Sequence, residues 1–299
     1  MMILEALKWA NEQLKIDDGP ATSPMLDAEV LLAAALGMPK TWLFSHFSYE
    51  LKGEEEEKFQ AFIKRRLNHE PVAYIIGWHE FYGRKFRVNA HTLIPRPATE
   101  TLIDEVIKLT KDHDPTKTLL IDIGTGSGAI AVTLAATTKI PVIATDISQE
   151  SLEIAKNNAQ DHQVDELIDF RLGDTLKPII KIFTQLQKNK HEIPEHIILC
   201  ANLPYLTQYQ WLSSQPEIAN FEPKGALVAG QDGLDAYWQL FRELHQHRNL
   251  FPPDLITLIE IDPEQDKRIQ SVIRHDFPNS QPEIIKDLEG YNRIVKSEL

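Results

Sequence analysis

Apolar residues recur at two different periods along this chain, and the change from one period to the other divides it. Over residues 3 to 15, Ile3, Leu4, Leu7, Ala10 and Leu14 fall at helical spacing, with Glu5, Lys8, Asn11 and Glu12 mostly opposite. A second helix is predicted over Leu26 to Leu36, where Ser23 can cap the start, Pro24 suits the first position, and Gly37 with Pro39 closes the run. A third follows the acidic run Glu54-Glu55-Glu56-Glu57, whose charge complements a helix N-terminus; Phe59, Phe62, Ile63 and Leu67 share its stripe and Pro71 ends it. Residues 1–75 are therefore expected to form a small bundle of three or four helices. The segment Trp78 to Val88 alternates on either side of Gly83-Arg84, which predicts a β-hairpin and makes residues 76–92 a linker.

From residue 93 the pattern becomes short apolar runs of strand length separated by helical ones. Strands are predicted at Thr118–Ile123, Pro141–Asp146, Ile168–Leu172, His196–Ala201 and Asp254–Ile261, with helices over Thr101–Leu109, Ala129–Ala136 and Gln149–Gln160. A further helix is expected in the first half of the polar stretch Lys177–Glu195, and another from Pro263. Two late strands, Glu283–Lys286 and Asn292–Lys296, suggest an antiparallel closing hairpin. Residues 93–299 thus read as a doubly wound α/β domain with a mostly parallel sheet.

Composition narrows the class. With 299 residues, 42% hydrophobic and 25% charged, the chain is a globular protein long enough for two domains. No apolar run approaches the ~20 residues that cross a bilayer, so no membrane association is expected. Acidic residues follow the start Met1-Met2-Ile3-Leu4 at once, against a secretory signal, and the expected location is cytoplasmic. The single cysteine, Cys200, excludes an internal disulfide and reads as a small apolar filler in a strand. His245-x-His247 reads as a solvated pair, and no metal is expected. A net charge of −13 argues against phosphate-driven binding to nucleic acid, and the local basic groups Lys64-Arg65-Arg66 and Arg84-Lys85-x-Arg87 read as solvated faces.

The candidate chemistry lies at the strand ends. Gly124-Thr125-Gly126-Ser127-Gly128 joins a strand to a helix, and Asp146 ends the next strand, as in a nucleotide-binding β-α-β unit. Glycines let the backbone approach a ligand, while Asp146 can accept hydrogen bonds from both ribose hydroxyls. Taken alone, the unit fits NAD or S-adenosylmethionine, and it lacks the Gly-Lys-Ser/Thr ending of a phosphate loop. Asp174 and Thr175 close the following strand and would sit beside the adenine. Asn202-Leu203-Pro204-Tyr205 leaves the strand His196–Ala201 at the same edge, offering a side-chain amide, a free carbonyl, a rigid proline and an aromatic face. That set suits a planar NH2 group. Pro95 and Pro97 stiffen the segment that carries Arg96.

The order Ile94-Pro95-Arg96-Pro97, Asp122-x-Gly124-Thr125-Gly126-Ser127-Gly128-Ala129, Asp146, Asn202-x-Pro204-Tyr205 and Glu222-Pro223-x-x-Ala226-Leu227 resembles the HemK/PrmC family over essentially the whole chain. These are methyltransferases that modify the glutamine of the Gly-Gly-Gln motif in peptide chain release factors. The resemblance implies a seven-stranded class I methyltransferase sheet behind a helical substrate-recognition domain. It implies S-adenosylmethionine as cofactor, held by Gly124, Thr125, Gly126, Ser127, Gly128, Asp146, Asp174, Thr175 and Asn202. The acceptor glutamine falls to Asn202, Leu203, Pro204 and Tyr205 as catalytic and substrate-binding residues, with Arg96 holding the substrate loop. On this reading the Asn202 side-chain oxygen and the Leu203 carbonyl accept the two amide hydrogens, and Tyr205 stacks on the amide plane. The partner implied is a release factor, with no direct nucleic acid and the enzyme acting as a monomer.

Three positions depart from the family pattern. Leu203 stands where the family usually has a second proline, Ala98 where it has an acid, and Gly290-Tyr291-Asn292-Arg293 follows its closing strand only loosely. Two alternatives share the same residues: an N6-adenine methyltransferase acting on RNA or DNA, because adenine presents the same NH2 geometry, and a non-catalytic cofactor-binding module.

Overall fold

The computed structural model describes residues 1–15 and 23–299. The chain divides into two compact units, Met1–Trp78 with Ser214–Glu222, and His79–Ser213 with Pro223–Leu299.

The first unit begins with α1 (Ile3–Leu14) and α2 (Pro24–Leu36), then α3 (Lys40–Ser45), α4 (Gly53–Leu67) and α5 (Val72–Ile76). Ile3, Leu7, Leu31, Leu32, Leu43, Phe59 and Ile63 form its core. The one-turn helices α3 and α5 are too short to leave a periodic signal, which is why the hydrophobic pattern alone does not announce them. Glu54, Glu55 and Glu56 lie in the first turn of α4, with Lys64, Arg65 and Arg66 in its last turn, so both helix ends carry the charge that suits the dipole. Ser23 is the residue before α2 but makes no side-chain cap bond. Gly37 ends that helix in the left-handed conformation, as expected of a C-terminal glycine.

Arg66 is a correction to the solvated basic face. Its guanidinium is 4% exposed and lies 2.7 Å from both Asp27 Oδ2 and Glu217 Oε1. The segment Ser214–Glu222, far along the sequence, is thereby joined to this helical core by a two-carboxylate clamp.

The second unit opens on the hairpin β1 (Trp78–Phe81) and β2 (Arg84–Arg87). Its turn is Tyr82-Gly83, one residue earlier than expected, because both central positions take positive φ (52° and 66°) while Arg84 already belongs to the strand. The chain continues through α6 (Glu100–Thr110), β3 (Thr118–Ile123), α7 (Ala129–Thr138), β4 (Val142–Asp146), α8 (Gln149–Asp161), β5 (Ile168–Leu172), α9 (Lys177–Lys188) and β6 (His196–Ala201). Then follow α10 (Gln208–Leu212), α11 (Pro216–Phe221), which lies in the segment belonging to the first unit, and α12 (Asp235–Gln246), before β7 (Asp254–Glu260), α13 (Asp266–Asp276), β8 (Glu283–Lys286) and β9 (Asn292–Glu298).

Seven strands form one sheet in the order β5-β4-β3-β6-β7-β9-β8. The first five run parallel, and β9 pairs antiparallel with both β7 and β8. Both faces of the sheet are covered. Along β6, Ile197, Leu199 and Ala201 join one core while Ile198 and Cys200 join the other, which is why these strands read as unbroken apolar runs. Cys200 is fully buried, and burial pushes its thiol well above its ordinary range. No helix among the described residues is long and apolar enough to cross a membrane.

Replacing Arg66 with alanine leaves Asp27 and Glu217 facing each other without the cation between them. Breaking a buried ion pair from one side costs ~3–5 kcal/mol. The Arg66→Ala chain is expected to unfold at lower denaturant, with loss of the helical unit first; an unchanged midpoint by circular dichroism would show that the clamp contributes nothing.

Candidate active site

The parallel register builds the site. Ile123 of β3 lies opposite Thr145 of β4 and Ala201 of β6, and Ala201 lies opposite Ile259 of β7. The next residue of each strand is therefore Gly124, Asp146, Asn202 and Glu260, emerging in one row at the C-terminal edge of the sheet. That edge is where open α/β sheets bind their ligands.

Gly124, Gly126 and Gly128 all have positive φ, at 73°, 56° and 81°. A Cβ on Gly126 would meet no protein atom within 4 Å, so the turn there faces open space, whereas at Gly128 it would press on Ala155. The loop is pinned from below. Thr125 Oγ1 donates to Asp122 Oδ2 at 2.6 Å, and the Ala131 amide donates to the same oxygen at 3.2 Å. The Ser127 carbonyl accepts from Asn158 Nδ2 at 2.8 Å. Thr125 and Ser127 are both buried, and the Thr125 hydroxyl is turned away from the ligand side toward Asp122.

Asp146 accepts the Gly126 amide at 2.8 Å and the Ser148 amide at 2.9 Å, one on each oxygen. Burial lifts its carboxyl above the usual range, opposed by those N–H groups. Asp174 accepts Lys177 Nζ at 2.6 Å, Thr175 Oγ1 at 2.9 Å and Gln239 Nε2 at 3.0 Å. Its side-chain bond to Lys177 helps hold its carboxyl below the usual range, against burial.

Asn202 donates from Nδ2 to Thr99 Oγ1 at 3.1 Å, and Thr99 Oγ1 donates to Glu260 Oε2 at 2.6 Å. Glu260 is fully buried, and burial raises its carboxyl, opposed by Thr99, Arg293, Tyr205 and Arg96 in turn. The Tyr205 hydroxyl donates to Glu260 Oε1 at 3.4 Å. The Leu203 amide donates to the Tyr237 hydroxyl at 3.3 Å, and that hydroxyl donates onward to the Glu260 carbonyl. On the other side, Gln265 Nε2 donates to the Tyr205 carbonyl at 2.9 Å. Gly233 packs so closely there that any Cβ would collide with the same carbonyl.

Two hollows meet at Asn202. The larger, of about 420 Å³, is lined by Gly124 to Ser127 of the glycine turn, Asp146, Asp174, Thr175 and the first three residues of Asn202-Leu203-Pro204-Tyr205. The smaller, of about 20 Å³, is lined by Leu93, Arg96, Asn202, Tyr205, Ala226 and Leu227. The first is of the size that takes a cofactor. The second has room for one group about the size of a water molecule. Of the residues expected at the cofactor or acceptor position, all but Gly128 line one hollow or the other. Tyr205 lines only the smaller, with its phenol tied to Glu260. The Pro223–Leu227 segment reaches this place because Leu206 pairs with it: the Leu206 amide donates to the Leu227 carbonyl at 2.8 Å.

S-adenosylmethionine fits the larger hollow. The open face at Gly126 leaves room for the backbone to approach a ligand, and the two carboxylates Asp146 and Asp174 suit ribose hydroxyls and the positive charge of the cofactor. Three residues of the site had no part in the sequence-based expectation: Thr99, Glu260 and Gln239. Glu260 alone left a trace, as a carboxylate closing an otherwise apolar strand. Away from this edge, His113, His196 and Asp254 bring one ligand atom each within 4.8 Å of one another. This is the one such group among the described residues, and sequence spacing missed it because its members begin different strands or precede them.

Asp122 generates a pH test. It is fully buried, and burial pushes its carboxyl up to about 7, with Thr125 and Ala131 opposing and Asp146 adding to the rise. The folded chain then holds a proton that an unfolded aspartic acid releases from about pH 4 upward. Its contribution to stability is present below that pH and is lost as pH rises through about 7. Asp122→Asn keeps an acceptor for Thr125 and removes this titration, so the variant should gain stability relative to the parent between pH 5 and pH 8. An equal difference in melting temperature at both values would refute the assignment.

Comparison with known proteins identifies the family. A family model described as the PrmC N-terminal domain matches residues 5–77, and one described as a methyltransferase domain matches residues 115–208. The release factor glutamine methyltransferase of Bacillus cereus is 35% identical, with 100% of each chain covered. That of Enterococcus faecalis is 35% identical over 98% of each. Among solved structures, the hMettl16 catalytic domain in complex with the MAT2A 3'UTR hairpin 6 aligns with a TM-score of 0.56 at 16% identity, covering 77% of this chain and 82% of that one. This likeness concerns the sheet fold alone. With relatives of one description matching it from end to end, the chain belongs to the release factor glutamine methyltransferase family.

Proposed function

We propose that this protein transfers the methyl group of S-adenosylmethionine to the side-chain amide nitrogen of the glutamine in the Gly-Gly-Gln motif of a peptide chain release factor. The observation that carries the reading is the position of Asn202 on the wall shared by the two hollows. A group held by Asn202 from the smaller one faces directly into the larger.

When bound, S-adenosylmethionine supplies an electrophilic methyl carbon. Asp146 binds the ribose through the lone pairs that Gly126 and Ser148 leave free, and Asp174 with Thr175 borders the adenine. A carboxamide nitrogen is a weak nucleophile because its lone pair is delocalised into the carbonyl, so the protein must orient it. Asn202 Oδ1 and the Leu203 carbonyl accept its two hydrogens and aim the nitrogen at the larger hollow. Pro204 has no N–H to compete for those acceptors and favours an extended Leu203. The Tyr205 ring bounds the amide on one side, and Arg96 holds the approaching loop. No residue has to act as a strong base; proximity and alignment can supply roughly 7–11 kcal/mol of the barrier. The helical unit recognises the protein substrate, and the enzyme works as a cytoplasmic monomer without touching nucleic acid.

Labelled methyl transfer to a purified release factor, mapped by mass spectrometry, tests the reading, with ribosomal RNA as the competing acceptor. Label on the glutamine supports it; label only on RNA overturns it in favour of an adenine methyltransferase. Asn202→Ala should abolish transfer while leaving cofactor affinity within a few-fold of the parent. A variant that transfers at the parent rate would remove Asn202 from the acceptor site.

A further inference from the structure

A side-chain amide has an accepting end and a donating end, and only the accepting end can hold an NH2 group. Which end of Asn202 faces the acceptor is therefore a catalytic variable. We infer that Thr99 and Glu260 are positioning residues that set the direction of the Asn202 amide, by fixing where the single hydroxyl proton of Thr99 points. The inference rests on the function proposed above.

Proton placement along the buried pair Glu260 and Thr99 and the half-buried Asn202 fixes the direction of the amide. Thr99 Oγ1 lies 2.6 Å from Glu260 Oε2 and 3.1 Å from Asn202 Nδ2. Thr99 is 4% exposed and Glu260 1% exposed, so solvent does not supply alternative partners to this chain. A carboxylate can only accept, so the Thr99 proton goes to Glu260. The hydroxyl is left with lone pairs toward Asn202, which must answer with its NH2. Oδ1 then turns to the other side. Density or packing alone rarely distinguishes the two ends of such an amide, but here the donor and acceptor sequence does.

The groups facing Glu260 favour its accepting form. Arg96 and Arg293 act on its charge, the Tyr205 hydroxyl donates to its second oxygen at 3.4 Å, and the Tyr237 hydroxyl donates to its backbone carbonyl. Burial opposes them and lifts the carboxyl above its ordinary range. A neutral amide or a protonated acid at position 260 can donate to Thr99 instead. The hydroxyl would then turn its proton to Asn202, the amide would reverse, and its NH2 would meet the substrate NH2 donor to donor.

Two variants separate direction from packing. Glu260→Gln keeps shape and permits the reversal, and Thr99→Val removes the hydroxyl at nearly constant volume; Thr99→Ser keeps it. With a release factor as acceptor, Glu260→Gln and Thr99→Val are expected to lose roughly 5- to 150-fold in kcat/KM, the range for a mispaired buried polar group. Thr99→Ser should stay within a few-fold of the parent, and all three should bind S-adenosylmethionine within a few-fold by calorimetry. The parent should also lose kcat as pH falls through the raised Glu260 value, and Glu260→Gln should lack that limb. If Glu260→Gln fails to bind cofactor, the Val and Ser variants at Thr99 and the parent pH profile decide.

A readout independent of turnover comes from the side-chain amide of Asn202 in 15N-asparagine-labelled protein, assigned by its loss in Asn202→Ala. Its hydrogens should exchange slowly in the parent and rapidly in Thr99→Val. Parent-like rates and parent-like exchange in Thr99→Val overturn the inference. Slow exchange in a parent that does not methylate the release factor leaves the relay standing and overturns the function proposed above.

Discussion

The site depends on the register of four parallel strands. Because Ile123, Thr145, Ala201 and Ile259 lie in one row, the residue that follows each of them reaches the sheet edge at the same height. Adjacent strands lie ~4.8 Å apart, so Gly124, Asp146, Asn202 and Glu260 are set at regular intervals along one edge before any loop contributes. The apolar runs hold that register from both faces. A slip of one residue on β6 would send Ile197 and Leu199 to the opposite core and carry Asn202 away from Thr99.

Polar groups at that edge are buried at a cost which the edge itself meets. Asp122, Asp146 and Glu260 all sit where burial works against their charge, and each is answered by donors from neighbouring elements. Asp122 secures the underside of the glycine turn through Thr125, so its oxygens face the protein. Asp146 is answered only by backbone amides, which leaves its remaining lone pairs for a ligand. Glu260 is answered by side chains from three separate segments and so ties Asn202-Leu203-Pro204-Tyr205 to β7. The same carboxylate chemistry thus serves three purposes, decided by what donates to it.

How much of this was legible in the sequence follows from range. The strands Thr118–Ile123, Ile168–Leu172 and His196–Ala201 are found at their expected bounds, because a buried strand announces itself by local apolar content. The glycine turn and Asp146 belong to one short β-α-β unit and were equally visible. Thr99 and Glu260 were not, because their partners lie 103 and 161 positions apart in the chain and nothing local marks such a pair. The hairpin turn was displaced by one residue because glycine was read as its first position, whereas Tyr82 takes positive φ as well. Between residues 206 and 253, α10 and α11 are too short for a period to emerge. Arg66 departs from the solvated basic face for a related reason: its partners, Asp27 and Glu217, come from distant parts of the chain.

Leu203, the most conspicuous departure from the family pattern, becomes intelligible in the same terms. A proline there would stiffen the tetrapeptide through its ring but would have no amide hydrogen. Leucine supplies that hydrogen, and it is used: the Leu203 N–H donates to the Tyr237 hydroxyl, which donates in turn to the Glu260 carbonyl. Its side chain is buried in the core and closes against Gly124, where a Cβ would come within 2.9 Å of Leu203 Cδ2. The constraint a ring would impose locally is therefore imposed from outside, by a tyrosine and a glycine turn. The Leu203 N–H anchors the segment to the strand that carries Glu260, and the carbonyl proposed as the acceptor takes no part in that chain of bonds.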